Sequence, residues 1–280
     1  LGVVVSVGNA MHLDLADYVD YLGADPMCGA ILLYVESFGD AVRFREVARR
    51  VARVKPIVAL VGGRTDAGRD AAFRHTGSTA MGTAETDAFC ADAGVLRVAS
   101  LRELRLAGQA LGLHPQGIGE RVLVLSNSGG PGVLATDRAV EAGLHLVQLP
   151  AALLARLRAM LPPEAAVANP MDLLADARDD RFGPVLAALL EDLADQVDAI
   201  LMIHVVPFMV DAAPVVTALA EVARSAHVPL MHSMMGTLEG RGAWFAQLAA
   251  ACVPTFGDSE DMATAAGILA RSRRLRATLD

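Results

Sequence analysis

The run RHTGSTAMGTAETD, Arg74 to Asp87, sets a histidine between an arginine and a Thr-Gly-Ser-Thr tract. A neutral imidazole attacks an electrophile through one ring nitrogen when a carboxylate holds the N–H of the other and so fixes the tautomer. Glu36 supplies a carboxylate of that kind. It ends the apolar run AILLYV, which delivers it to the same sheet edge as the segment after PIVALVG that carries His75. A solvated loop histidine and an exposed strand-end glutamate are the plainer alternatives. A second constellation is NSGGPG, Asn127 to Gly132, directly after the apolar run VLVLS. Gly129 and Gly130 admit close backbone approach, Pro131 suits the first turn of a helix, and exposed N–H groups with the helix dipole favour an anion such as phosphate. The same residues also serve as a tight strand-to-helix turn with no ligand, because a short glycine-rich turn is a weak signature.

Other candidates carry less chemistry. Arg64 and Arg74 flank the histidine segment and could meet phosphate oxygens or stand in solvent. His204 and His232 close apolar runs and read as satisfied interior or rim histidines, while His12, His114, His145 and His227 read as surface or linker residues. In ANPMDLL, residues 168–174, Asn and Pro mark a turn and Asp172 is placed to cap the next helix. Cys28, Cys90 and Cys252 are odd in number and far apart, the usage of small core hydrophobes in a reducing compartment. No metal centre is expected.

These residues need a frame, and the chain is long enough for two. It has 280 residues, 54% of them hydrophobic but only 4% aromatic, so Val, Leu, Ala and Met must fill the cores. A net charge of -8 without a basic cluster argues against nucleic acid and anionic membranes. No apolar run reaches the roughly 18 residues that a membrane span needs, so a cytoplasmic protein is expected. Arginine outnumbers lysine 23 to 1, a mark of codon bias.

Short Val/Ile/Leu runs alternate with helix-period segments, the pattern of a parallel sheet covered on both faces. The second half predicts strands at 122–126, 144–149, 199–205, 229–233 and 253–256, with helices at 131–142, 151–160, 181–193, 211–225, 239–250 and 259–272. Five such strands predict a flavodoxin-like unit. The first half predicts strands at 3–7, 30–35, 57–61 and 95–98 and helices at 13–22, 40–53, 84–93 and 100–111, one strand-helix unit fewer. The stretch between Gly62 and Gly82 is expected to be a long functional loop. LHPQGIGE, residues 113–120, reads as a linker. The fold expected is therefore α/β, two flavodoxin-like three-layer parallel-sheet domains at 1–113 and 120–280, the first without its opening strand-helix unit and preceded by a missing N-terminal part.

Taken in order, SVGNAMHLDLADYVDYL, LLYVES, GGRTDAGRDAAFRHTGS, DAGVLRVASLREL, NSGGPGVLATDRAVEAGL and ANPMDLL resemble the NDP-forming acyl-CoA synthetases, the superfamily of succinyl-CoA synthetase and ADP-forming acetyl-CoA synthetase. The resemblance runs along nearly the whole chain. It implies a phosphorylated histidine at His75, a hydrogen-bonding partner at Glu36, and a phosphate-holding helix start at Ser128, Gly129 and Gly130. It also implies that acyl-CoA, phosphate and ADP interconvert with acid, CoA and ATP through an acyl phosphate. The complete enzyme would use CoA, ATP/ADP and Mg, none of them held by this segment, which alone is expected to be inactive. Its partners would be a CoA-binding Rossmann domain and an ATP-grasp domain or subunit, with a small acyl substrate and an oligomeric state. Arg74 stands where the family usually has a small residue, and TAMGTAE replaces the more usual LAGSD. Two rivals remain open at this point: a ligand-sensing module of a protein acetyltransferase, and a related acyl- or carbamoyl-transfer protein without the phosphohistidine.

Overall fold

A computed structural model of the protein describes residues 2–8, 12–76, 81–193, 195–207, 210–236 and 239–279, with the side chains of residues 75 and 76 also outside that set. The chain divides into two compact units, residues 1–117 with 271–280 and residues 118–270.

In the first unit the elements run α1 (Leu15–Ala24), β1 (Ile31–Val35), α2 (Ala41–Ala52), β2 (Ile57–Val61), α3 (Asp66–Thr76), α4 (Thr83–Asp92), β3 (Val95–Val98) and α5 (Leu101–Leu111). The strands form a parallel sheet in the order β1-β2-β3, with Ile31 opposite Ile57 and Ile57 opposite Val95. Ile31, Leu33 and Val35 point to a core shared with α1, α2 and α4. Three phenylalanines meet there: Phe38 lies 4.8 Å from both Phe44 and Phe89 between ring centroids, two tilted pairs worth about 1 kcal/mol each beyond their burial. Asp14 and Asp17 form a capping box at the start of α1. At its other end Lys55 donates to the carbonyls of Leu22 (2.7 Å) and Asp25 (2.6 Å), so the one lysine of the chain satisfies a helix C-terminus. Gly94, at φ +72°, is required twice over: a Cβ there would stand 2.8 Å from that of Ala52 and 2.7 Å from Leu279 Cδ1.

Two expectations for this unit are corrected. Residues 3–7 form no strand; Val3, Val4 and Val5 are exposed. A β-branched run becomes a strand only where a neighbour completes its ladder, and among the described residues none pairs with it. Much of the expected loop after Gly62 is helix α3. Thr65 starts it, with its Oγ1 accepting from Gly68 N–H at 3.1 Å, and Asp66 complements the dipole in the first turn. No proline interrupts the helix.

The second unit runs β4 (Arg121–Ser126), α6 (Gly129–Glu141), β5 (His145–Leu146), α7 (Ala151–Met160), β6 (Met171–Asp172), α8 (Asp179–Leu193), β7 (Ala199–Val205), α9 (Ala213–Ala223), β8 (Leu230–Met235), α10 (Arg241–Ala250), β9 (Thr255–Phe256) and α11 (Ser259–Ala277), whose end belongs to the first unit. Its parallel sheet is ordered β5-β4-β7-β8-β9, with the short β6 paired to β4. Apart from β6, that is the flavodoxin order 2-1-3-4-5. Strands β4, β7 and β8 are buried almost end to end, as a sheet covered on both faces requires. The expected strand 144–149 shrinks to two residues because the Asn169 side chain takes over the pairing: it accepts from Val124 N–H and donates to the carbonyls of Val122 and Val147, each at 3.0 Å.

Candidate functional site

In open parallel sheets, ligands bind beyond the carboxyl ends of the strands, above all where strand order reverses. In the second unit that switch point lies between β4 and β7. Asn127 fastens it: its Oδ1 accepts from Val205 N–H at 2.8 Å and its Nδ2 donates to Val205 O at 2.9 Å. The amide thus copies one strand residue at the end of β7. Ser126 Oγ accepts from Ser128 N–H at 3.0 Å and donates to Ser128 O at 2.7 Å, closing the turn beneath the helix start.

Ser128 occupies the N-cap of α6, but its side chain makes no capping bond. Gly129 and Gly130 are exposed in the first turn, where backbone N–H groups lack intrahelical partners. A Cβ on Gly130 would meet nothing within 4 Å, so packing does not demand glycine there. Gly129 is different, because a Cβ would lie 3.3 Å from Asp172 Oδ2. Asp172 caps no helix, contrary to the expectation from sequence. It pairs with Ser126 through β6, its Oδ1 accepts from Leu174 N–H at 2.9 Å, and Leu174 takes φ 73°. The arrangement is a rigid, uncapped helix start open to solvent and able to donate to an anion.

In the first unit Glu36 follows β1 and is half-buried. Its Oε2 is buried without a hydrogen-bond partner among the described residues. Beside it, Gly62 directly follows β2: its N–H donates to Val35 O at 2.8 Å, and the position of a Cβ on Gly62 is 3.6 Å from Glu36 Cγ. Arg64 is committed to structure, donating to Ala99 O at 2.6 Å while its own carbonyl accepts from Thr83 Oγ1 at 2.7 Å. Arg74 is exposed. The backbone of His75 lies in the last turn of α3, and its imidazole lies outside the described residues, as do residues 77–80 of the adjoining tract.

Sequence reasoning missed Asn127 and Asn169 as backbone surrogates. Asparagine directly after an apolar strand, before a serine-glycine turn, is a signal for the first; nothing local distinguishes the second from a turn residue. Two further expectations are corrected. His204 and His232 are interior but unsatisfied, with ring nitrogens that have no partner among the described residues. Cys90 is buried, with its thiol pushed up to about 11 by desolvation, whereas Cys252 is exposed at φ 59°. All three cysteines are free.

Residues 1–111 match the succinyl-CoA ligase like flavodoxin domain, and residues 122–276 match the Ligase-CoA domain. The chain belongs to the NDP-forming acyl-CoA synthetase family. Among its relatives, the alpha subunit of ADP-forming acetate–CoA ligase II from Pyrococcus furiosus is 39% identical over 210 residues, covering 75% of this chain and 45% of that protein. The ADP-forming 4-hydroxybutyrate–CoA ligase of Nitrosopumilus maritimus is 30% identical over 191 residues, 67% of this chain and 27% of that one. The dinucleotide forming acetyl-coenzyme A synthetase 1 of Ca. Korarchaeum cryptofilum, solved in complex with phosphate and ADP, superposes with a TM-score of 0.88 at 30% identity over 98% of this chain and 60% of that one. The chain spans about half or less of the length of the curated relatives it matches. No helix among the described residues is long and apolar enough to cross a membrane.

Proposed function

We propose that the chain is the central part of an NDP-forming acyl-CoA synthetase, which interconverts acyl-CoA, phosphate and ADP with free acid, CoA and ATP. In this reading inorganic phosphate displaces CoA from the acyl thioester, and the resulting acyl phosphate is attacked at phosphorus by a neutral His75. The new N–P bond forms as the bond from phosphorus to the acyl oxygen breaks, and the acid leaves as carboxylate. ADP then takes the phosphoryl group. Glu36 accepts the N–H of the other imidazole nitrogen and offsets the positive charge that the ring gains. The start of α6, at Ser128, Gly129 and Gly130, donates backbone N–H groups to the transferred phosphoryl oxygens. A CoA-binding Rossmann part and an ATP-grasp part, with the Mg that accompanies the nucleotide, complete the catalyst on this reading.

The observation that carries the proposal is Glu36 Oε2, a buried carboxylate oxygen without a partner among the described residues, at the edge of the sheet from which the His75 segment departs. Burying a carboxylate oxygen unpaired costs free energy, so its presence at a strand end argues for a partner supplied by function.

The test uses the synthetase assembled with its nucleotide-binding part. Phosphate given from ATP or acyl phosphate should appear on His75 as an acid-labile, base-stable adduct, and His75→Ala should abolish both label and turnover. An assembled enzyme that takes up no phosphate from either donor, while His75→Ala keeps wild-type function, would overturn the assignment in favour of a ligand-sensing module.

A further inference from the structure

Away from the phosphate loop, the second unit holds a group of side chains that the proposed chemistry does not use. Parallel pairing sets Met202 opposite His232 and His204 opposite Met234 on β7 and β8. Residues two apart on a strand share a face, so the four side chains form one block, thioether diagonal to thioether and imidazole diagonal to imidazole. Both methionines belong to the apolar core on that face, which also contains Phe182, and the His204 ring lies 5.3 Å from Phe182. All four residues are 2% exposed or less.

A packed core has no use for imidazole nitrogens that bond nothing. Yet Nδ1 of His204 and both Nδ1 and Nε2 of His232 are buried without a partner among the described residues. Each such atom has given up its hydrogen bonds to water without return unless something fills its lone pair or accepts its proton. The ring centroids of His204 and His232 are 6.1 Å apart, tilted by 58°. Two imidazoles that share one ion at about 2 Å from each ligating nitrogen stand ~5–6.5 Å apart between centroids, and the observed spacing falls in that range.

We propose that Met202, His204, His232 and Met234 form a buried binding site for one soft, singly charged cation of the Cu(I) class. The donor set selects the ion. Thioether sulfur prefers soft metals such as Cu(I), while Zn takes thiolate, imidazole or carboxylate donors and Ca and Mg take oxygen, so a pair of thioethers suits none of these three. Among the described residues no group of three or more His, Cys, Asp or Glu is placed to hold a metal. All four donors are uncharged, so nothing in the block offsets a second positive charge, and desolvation favours the lowest one. The block lies in the carboxyl-terminal halves of β7 and β8, which end at Val205 and Met235. An ion there would tie together the two strand ends, one of which Asn127 already joins to the phosphate loop.

The test is Cu(I) titration of the protein under anaerobic, reducing conditions against a Cu(I)-specific chelator. Cys28→Ser, Cys90→Ala and Cys252→Ser remove the competing thiols. One equivalent should bind, with both nitrogen and sulfur scatterers in X-ray absorption and with shifts of the Met202 and Met234 methyl signals in NMR. Met202→Leu with Met234→Leu conserves volume and should leave the fold intact. It should weaken binding by at least ~100-fold, the upper end of what loss of an outer-sphere partner alone costs a metal site. Undiminished affinity in the double variant would overturn the site. So would failure of the thiol-free protein to retain any ion against the chelator, which would leave the two histidines as packing groups.

Discussion

The carboxyl edges of the two sheets are built in opposite ways. In the second unit, the buried polar side chains around the helix start are satisfied: Asn127 by Val205, Ser126 by Ser128 and Asn169 by three backbone groups of β4 and the chain beyond β5. Around that start what stays open is backbone, in the first turn of α6, while the unpartnered histidine nitrogens lie on β7 and β8. In the first unit the backbone is tied, through Gly62 to Val35 and Arg64 to Ala99, and what stays open is a side-chain oxygen of Glu36. A site that holds a charged group through its whole reaction gains from donors that need no reorganisation. A site whose nucleophile receives and then gives away a phosphoryl group gains from a partner that is not already occupied.

Glu36→Gln should separate the two edges most strongly. The amide still accepts a hydrogen bond but brings no negative charge, so phosphorylation of His75 should slow by about 10²- to 10⁴-fold. Unfolding midpoints should hold or rise, since no bond among the described residues depends on Oε2 and the buried charge is removed. A large stability loss with normal phosphorylation would make Glu36 a structural residue.

Asn127→Ala attacks the opposite edge. It leaves Val205 N–H and C=O without their partner, and two broken buried bonds should lower stability by about 2–4 kcal/mol, read as a shift of the urea midpoint at constant slope. Phosphoryl transfer should fall as well, because the turn before Gly129 loses its anchor. If stability holds, the clamp is not what makes this edge rigid.

Gly130→Ala tests whether the open backbone is there for a ligand. Nothing lies within 4 Å of the added methyl, and alanine favours helix, so stability should be unchanged or rise by up to about 1 kcal/mol. Turnover in the assembled synthetase should nonetheless fall about 10- to 100-fold as the phosphoryl group is pushed out of position. Full activity would return the glycine pair to the role of a plain turn.

The smallest expected effect checks that the looseness of the first unit is confined to its edge. Cys90 belongs to that unit's core, and a thiol that titrates near 11 has about one thiolate in a thousand at pH 8. Maleimide at that pH should label Cys252 at once and leave Cys90 untouched until denaturant is added. Rapid labelling of Cys90 in the native protein would show that the whole core of the unit opens, and the contrast between the edges would lose its meaning.

How far the site was legible depended on the range of the forces that make it. Glu36, Ser128, Gly129 and Gly130 stand where an apolar run stops, and a run of that kind marks a strand end without help from any other part of the chain. The start of α3 carries its own local signal in Thr65, Asp66 and the absence of proline, but glycines on either side of it drew the segment toward a loop. Asn169 gave no such signal, since its partners lie 22 to 47 residues away, in β4 and the chain beyond β5, and the pairing of Asp172 with Ser126 of β4 is just as distant in sequence.

The sequence by itself determined the alternation of apolar strand and amphipathic helix, and with it an α/β fold and the positions of its strand ends, because periodicity and burial are set residue by residue. Tertiary structure decided what pairing alone can decide. Without a ladder partner among the described residues Val3 to Val5 form no strand; Asn169 takes over pairing that the expected strand 144–149 would have made beyond β5; β6 carries Asp172 to within reach of Gly129. The order β5-β4-β7-β8-β9 brings two histidines, separated by 28 positions in the chain, to adjacent strands on one buried face. Hydrogen bonds between strands do not depend on sequence distance, so no local pattern could have announced that encounter.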